Sequence, residues 1–271
     1  MRLWNGWGNE DSDLTMELSD GLRALLEALV GSGTALSQAT LNEVIAKVPN
    51  TRLDDHPLIK TDPETRVRHA RGQSLPDWLE MHSGNVDTFP DGVAFPESSE
   101  QVRELLAHAK ENNLIVIPYG GGTSVVGHIN PETSDKPVLT IDMAKMNSML
   151  SIDTESQLAT FGAGAPGPVV EEELKKYGYT LGHFPQSWEL STLGGWVASR
   201  SSGQQSLHYG RIENMFAGGT IETLNGTMTI PTIPASSAGP DVREMILGSE
   251  GRMGIITEVT VRITPLPEKE K

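Results

Sequence analysis

The residues of this chain whose types and spacing could do chemistry are glycines, hydroxyls and backbone amides rather than a cluster of acids and bases. Pro118-Tyr119-Gly120-Gly121-Gly122-Thr123-Ser124 follows the apolar run Leu114-Ile115-Val116-Ile117. Consecutive glycines let a backbone reach positive φ and approach a ligand closely. Successive amide N–H groups in such a loop form a concave donor array suited to phosphate oxygens, and Thr123 and Ser124 add hydroxyls. It is not a P-loop, because no Lys follows the glycines. Two further segments share this character. Gln186-Ser187-Trp188-Glu189-Leu190-Ser191-Thr192 runs into Leu193-Gly194-Gly195 and then Ser199-Arg200-Ser201-Ser202-Gly203. Small hydroxyl residues there crowd a predicted helix start, where unpaired N–H groups and the helix dipole favour negative charge. Gly248-Ser249-Glu250-Gly251-Arg252-Met253-Gly254 brackets a third close-approach loop before the last predicted strand. Taken singly, each segment can also be read as an ordinary turn.

Charge placement favours an anionic ligand. The chain has 271 residues, 21 Lys and Arg against 36 Asp and Glu, and a net charge of −15. Residues 114–131 and 177–188 hold no Asp, Glu, Lys or Arg, and residues 199–212 hold Arg200 and Arg211 but no acid. With a Debye length of about 8 Å at physiological salt, an anion in so acidic a protein needs local relief of this kind. The same acidity argues against a nucleic-acid partner, whose phosphates it would repel. The absence of Cys excludes disulfides, a thiolate nucleophile and cysteine metal sites. No apolar run approaches the roughly 20 residues of a bilayer span, and residues 1–8 contain no secretory h-region. The expectation is a soluble, cytoplasmic globular protein without a transmembrane segment.

Two constellations are decoys. Gly162-Ala163-Gly164-Ala165-Pro166-Gly167 fits the dinucleotide fingerprint GxGxxG. The acid expected about 20 positions later is missing, since Tyr179-Thr180-Leu181-Gly182-His183-Phe184-Pro185 has no carboxylate there. A tight strand-to-helix turn is the better reading. His56, His69 and His82 could ligate a metal, but their wide, irregular spacing favours solvated loop histidines, and no metal is expected.

The elements that must position the loops read as follows. Ser19-Asp20 caps a helix with Leu22, Leu25, Leu26 and Leu29 on one face, stopped by Gly31. Thr40 to Glu43 fits a capping box for a short helix ending before Pro49, and residues 53–85 read as polar loop. From about residue 86, short strands and helices alternate. Strands are predicted at 93–95, 114–117, 138–141, 157–161, 221–224, 227–230 and 255–263. Helices are predicted after a Ser98 to Gln101 capping box, with Val102, Leu105, Leu106 and Ala109 inward, and over 168–177. Asn225-Gly226 signals a type I′ hairpin. Ile255, Thr257, Val259, Val261 and Ile263 share one face of the last strand. The class is α+β, not a regular βαβ array.

In combination and order the motifs are specific. Trp4-Asn5-Gly6-Trp7-Gly8, the 118–125 loop, Gly182-His183, Ser191-Thr192-Leu193-Gly194-Gly195-Trp196, residues 199–203, and Gly239-Pro240-Asp241 leading to residues 248–258 resemble the vanillyl-alcohol oxidase (PCMH-type) flavoprotein superfamily. Within its FAD-linked oxidase branch, the nearest likeness is to the alkyldihydroxyacetonephosphate synthase (alkylglycerone-phosphate synthase) family. The resemblance implies a PCMH-type FAD-binding domain of two α+β subdomains over 86–264, preceded by a small, mainly helical segment over 1–85. Residues 265–271 would begin a linker to a cap domain that lies outside this chain, so the chain would be a truncated form, one subunit of a split enzyme, or a natural short form.

By the same resemblance, residues 118–124 would wrap the FAD pyrophosphate, 186–192 and 199–202 would line the ribityl and pyrophosphate path, and 248–254 would close over the adenosine half, with Glu250 bonding local N–H groups or a ribose hydroxyl. Tyr119-Gly120 stand where some relatives carry an attaching His, which together with the absence of Cys predicts a non-covalent flavin. Catalytic residues stay unassigned. His183 and Arg200 are the polar groups nearest the flavin segments, and structural or phosphate-facing roles are the preferred reading for both. The implied reaction is acyl-to-alkyl exchange on dihydroxyacetone phosphate. A FAD-dependent 2-hydroxyacid dehydrogenase and a catalytically silent flavin-binding module are the rival readings. The small-molecule substrate would be an acylated glycerone phosphate or a 2-hydroxy acid, and a homodimer is in keeping with relatives.

Overall fold

The computed structural model describes residues 2–10, 18–34, 36–234 and 236–268. Its architecture rests on two sheets. The first holds β1 (Ile59–Lys60), β2 (Gly92–Ala94), β3 (Ile115–Tyr119) and β4 (Val138–Asp142) in the order β1-β2-β4-β3. β2, β4 and β3 run parallel, with β1 antiparallel at the edge. The central strand β4 is buried throughout, as an apolar parallel strand covered on both faces should be. The chain continues through β5 (Met149–Asp153), β6 (Leu158–Gly162), β7 (Tyr179–Thr180), β8 (Phe216–Thr223), β9 (Gly226–Ile230), β10 (Ile255–Arg262) and β11 (Thr264–Pro265). Five of these form an antiparallel sheet in the order β5-β6-β10-β8-β9, and β11 pairs with β7 apart from it.

Helix Ser99–Glu111 joins the layers. Val102, Leu105, Leu106 and Ala109 are its buried face, as the period predicts. Arg103 reaches across to the fully buried Glu222 of β8 at 2.8 Å. Ser98 caps the helix through the Gln101 amide, but the Gln101 side chain accepts from Glu97 N rather than closing a box. The fold is α+β, as expected from the sequence.

Several local expectations need correction. Residues 53–85 are not loop: Asp62 caps helix Pro63–Arg68 and Ser74 caps helix Leu75–Ser83, each with Pro in the first turn. This stretch and β1 pack on β2, so ladder and core cross residue 86. His69 is not solvated. It is buried, bonded through Nε2 to Asp142 Oδ2 at 2.9 Å and through Nδ1 to the Thr65 carbonyl at 2.8 Å. The hairpin at Asn225 forms, but Thr223 pairs with Gly226, which puts Leu224-Asn225 at the tip. Type I′ needs positive φ at both tip residues, and here only the flanking Gly226 has it. β10 is not a single alternating face, because its register on β8 slips between Ile256 and Glu258. Ile255 therefore faces the core of the first sheet, while Ile256, Val259 and Val261 face that of the second.

The residues 162–167 decoy is a tight turn linking antiparallel β6 to helix Gly167–Lys175, not a Rossmann crossover. Its glycines serve close packing: a β-carbon at Gly164 would overlap the Met143 carbonyl, and one at Gly167 the Trp188 ring.

Candidate functional site

A cleft of about 370 Å³ opens where the carboxyl ends of β3 and β4 meet the start of β10 and helix Leu193–Ser199. The carboxyl ends of parallel strands are where open α/β sheets bind ligands. The whole 118–124 loop lines it, with Ser187, Ser191, Thr192, Ser199, Ser201, Glu250, Gly251 and Gly254. Three segments separate in sequence thus converge on one cavity. Gln186, Trp188, Glu189, Leu190, Arg200, Ser202, Gly248, Ser249, Arg252 and Met253 do not line it. Arg200 turns away: its guanidinium lies on Glu213 at 2.6 Å and Glu244 at 2.9 Å.

The glycine loop is shaped by the wall behind it. A β-carbon at Gly120 would meet Thr192 Oγ1, one at Gly121 the Leu190 carbonyl, and one at Gly122 the Tyr119 hydroxyl. Gly122 also has φ +64, a left-handed conformation that glycine adopts without strain. The glycines let the loop lie flat on residues 190–192.

The amides of Gly121, Gly122, Thr123, Ser124 and Val125 donate to no protein acceptor among the described residues. Gly122 is buried and Gly121, Thr123 and Ser124 are half-buried beside it, where most backbone N–H groups find a partner, so this run is an unspent donor array. Several other donors around the cleft are committed. The first amides of helix Leu193–Ser199, expected to be unpaired, are not: Leu193 N donates to Ala165 O at 2.9 Å and Gly194 N to Ala163 O at 2.8 Å. Gly195 N donates to the N-cap hydroxyl of Thr192 at 3.3 Å. Glu250 N is likewise used, on Ala198 O at 2.8 Å. The hydroxyls are also tethered. Ser191 Oγ accepts from Trp196 Nε1 at 2.7 Å and donates to Ser187 O at 2.8 Å, and Ser201 Oγ is 2.8 Å from His183 Nε2.

Among the described residues no Lys or Arg lines the cleft, and Glu250 is its one carboxylate. Glu250 stands at φ +50. Its Oε2 is 3.9 Å from His128 Nδ1, which also lies 3.2 Å from Ser124 Oγ. Burial holds the His128 imidazole below its ordinary value, Glu250 opposing this and Arg252 adding to it. Burial also pushes the Tyr119 phenol up to about 12, so it stays protonated. His183, behind the wall against Trp196, is pushed down to about 4 by desolvation.

Sequence reasoning missed part of the apolar lining, Val125, Val126, Ile129, Met143 and Ala163, together with His128. The missed residues flank turns rather than repeating at a period, so only their place beside the glycines could have marked them. Such a cavity, apolar-walled with one row of free amides, suits a flat or elongated ligand carrying phosphate.

Among the described residues no three His, Asp or Glu side chains are grouped to hold a metal ion. No helix among them is long and apolar enough to cross a membrane.

Comparison with known proteins places the chain. Residues 90–230 match the family described as FAD binding domain. Alkyldihydroxyacetonephosphate synthase of Trypanosoma brucei brucei is 39% identical over 215 residues, covering 79% of this chain and 35% of that protein. The synthase of Dictyostelium discoideum is 40% identical over 210 residues, covering 78% and 34%. A solved structure of alkyldihydroxyacetonephosphate synthase superposes with TM-score 0.84 at 32% identity, covering 99% of this chain and 55% of that one. The chain spans about a third to a half of the length of the curated relatives it matches.

Proposed function

The chain belongs to the FAD binding domain family, and from that premise we propose that it is the cofactor-holding part of an enzyme of the alkyldihydroxyacetonephosphate synthase type. FAD is the cofactor, held without a covalent bond. The observation that carries this reading is the run of unspent amides over residues 121–125 at the carboxyl end of β3. These amides and the Thr123 hydroxyl would hold the pyrophosphate. Tethered Ser191 and Ser201 would wall its path, and Glu250, Gly251 and Gly254 would close the far side. Amide dipoles neutralise phosphate without a lysine, in keeping with a lining free of Lys and Arg.

When bound, the flavin supplies an electron-accepting ring system that side chains lack. The chain's own residues bind and orient it. Among the described residues the lining holds Glu250, His128 and the Tyr119 phenol as its ionisable groups, and the phenol is held protonated. We therefore assign substrate chemistry, acyl-to-alkyl exchange on an acylated glycerone phosphate, to residues outside this chain.

The test is a titration with FAD and with riboflavin, followed by visible absorbance and by thermal unfolding. FAD should bind and raise the melting temperature, while riboflavin, which lacks the phosphates, should bind at least tenfold more weakly, about 1.4 kcal/mol. Equal affinity for the two would remove the phosphate role from the 121–125 loop, and no binding of either would remove the reading altogether.

A further inference from the structure

Among the described residues the cleft has no lining cation, yet the Arg2 guanidinium touches its cradle from outside. Residues 2–10 fold back on themselves, with Leu3 N donating to Gly8 O at 3.0 Å and Arg2 bridging Asn9. This strap is pinned to the body. Arg68 donates to the Arg2 carbonyl at 2.8 Å and to Glu10 at 3.0 Å, and Trp4 packs on the cluster containing Val67 and Met81. From it the Arg2 side chain donates to the carbonyl of Gly121.

We propose that Arg2 is a positioning residue for the phosphate cradle: it locks the Gly121–Gly122 peptide so that the Gly122 amide faces the ligand. The peptide is planar and trans, so its C=O and N–H point to opposite sides. Holding the Gly121 oxygen toward the strap directs the Gly122 N–H away from it, into the cleft that Gly122 lines. Between two glycines no β-carbon biases the peptide orientation, so an external restraint is needed to keep one donor aimed. The inference rests on the flavin reading above and adds a residue to it. Preorganised donors strengthen binding by lowering the ordering cost met on association.

The experiment measures FAD and riboflavin affinity for the full chain, its Arg2→Met variant and its Arg2→Lys variant, at low and high salt. Arg2→Met should weaken FAD at least tenfold, leave riboflavin unchanged, and keep that ratio at high salt. Arg2→Lys, which still donates, should recover part of the loss. A general loss of structure would lower both ligands together. An effect of Arg2 charge alone would fade with salt. Either result, or FAD binding to Arg2→Met as tightly as to the parent, overturns the inference. Should Arg2→Met fold poorly, Arg2→Lys decides by the same FAD-to-riboflavin ratio, and an unchanged ratio in it counts against the lock. Failure of the parent chain to bind FAD would instead defeat the proposed function.

Discussion

Gly121 lies so close to the 190–191 backbone that a β-carbon there would sit 2.7 Å from Ser191 Cα and overlap the Leu190 carbonyl. Both partners are main chain, so neither can rotate aside. Gly121→Ala must therefore move the loop off its wall, at a cost of about 1–3 kcal/mol typical of overpacking. FAD affinity should fall at least tenfold in the same variant, because the amides of 121–125 move with the loop. Gly33→Ala is the control. It has nothing within 4 Å and no positive φ, so its stability should stay within about 0.5 kcal/mol of the parent. Chemical denaturation and a flavin fluorescence titration read both effects. A Gly121→Ala protein as stable and as tight as the parent would contradict the close approach.

The flavin should leave the polypeptide on denaturation. No Cys is present, and Tyr119-Gly120 occupy the head of the loop. The His nearest the amide run, His128, is engaged through Nδ1 with Ser124. Unfolding the holoprotein and filtering it should pass the yellow colour into the filtrate. Colour retained on the chain would require a covalent bond.

The part of the site legible in sequence was the part whose chemistry demands particular residue types. Three adjacent glycines after an apolar strand announce a backbone-lined loop, and β3, β4, β6 and helix Ser99–Glu111 follow from hydrophobic runs and caps. What could not be read is where satisfied and unsatisfied amides fall. The start of helix Leu193–Ser199 looks like an anion site by composition, yet Gly195 N is spent on its own N-cap Thr192, and Leu193 N and Gly194 N on Ala165 and Ala163, contacts that depend on a turn some thirty residues earlier. Periodicity was a poor guide elsewhere too. Leu25 and Leu29 lie on the apolar stripe of helix Asp20–Val30, as predicted, but are 54% and 71% exposed. The slip in β10 divides one alternating sequence between two cores, and residue pattern alone carries no trace of it.

Ser191 holds the wall together through Trp196. Its Oγ accepts from the buried indole Nε1 and donates to Ser187 O. Ser191→Ala strands the indole N–H, and an unsatisfied buried donor costs about 1–3 kcal/mol. Among the described residues the hydroxyl of Ser199, also on the cleft, bonds only the Gly195 carbonyl of its own helix, so Ser199→Ala should change stability by no more than about 0.5 kcal/mol. Urea unfolding of the FAD-free protein checks the pair, and equal effects would show that the Trp196 bond does not hold the wall.

Acid should loosen the fold through His183. The ring is 1% exposed, its Nε2 meets Ser201, and its Nδ1 has no partner among the described residues. Nothing compensates a positive charge there, and desolvation lowers its pKa to about 4. In the unfolded chain the same imidazole titrates near 6.5. The unfolded state therefore takes up the proton first, and the folded state's advantage is complete only above about pH 6.5. Between there and about pH 4, stability should fall by up to about 1.4 kcal/mol per pH unit, levelling off once the folded ring also titrates. Carboxylates contribute their own slope, so the diagnostic is a difference: His183→Gln should lose less stability than the parent between about pH 7 and pH 5. Ser201 lines the cleft, but the folded ring stays neutral down to about pH 4, so the FAD affinity of the folded protein should hold over the same interval in both proteins. Parallel pH curves for the two proteins would mean that the imidazole is solvated in the folded state.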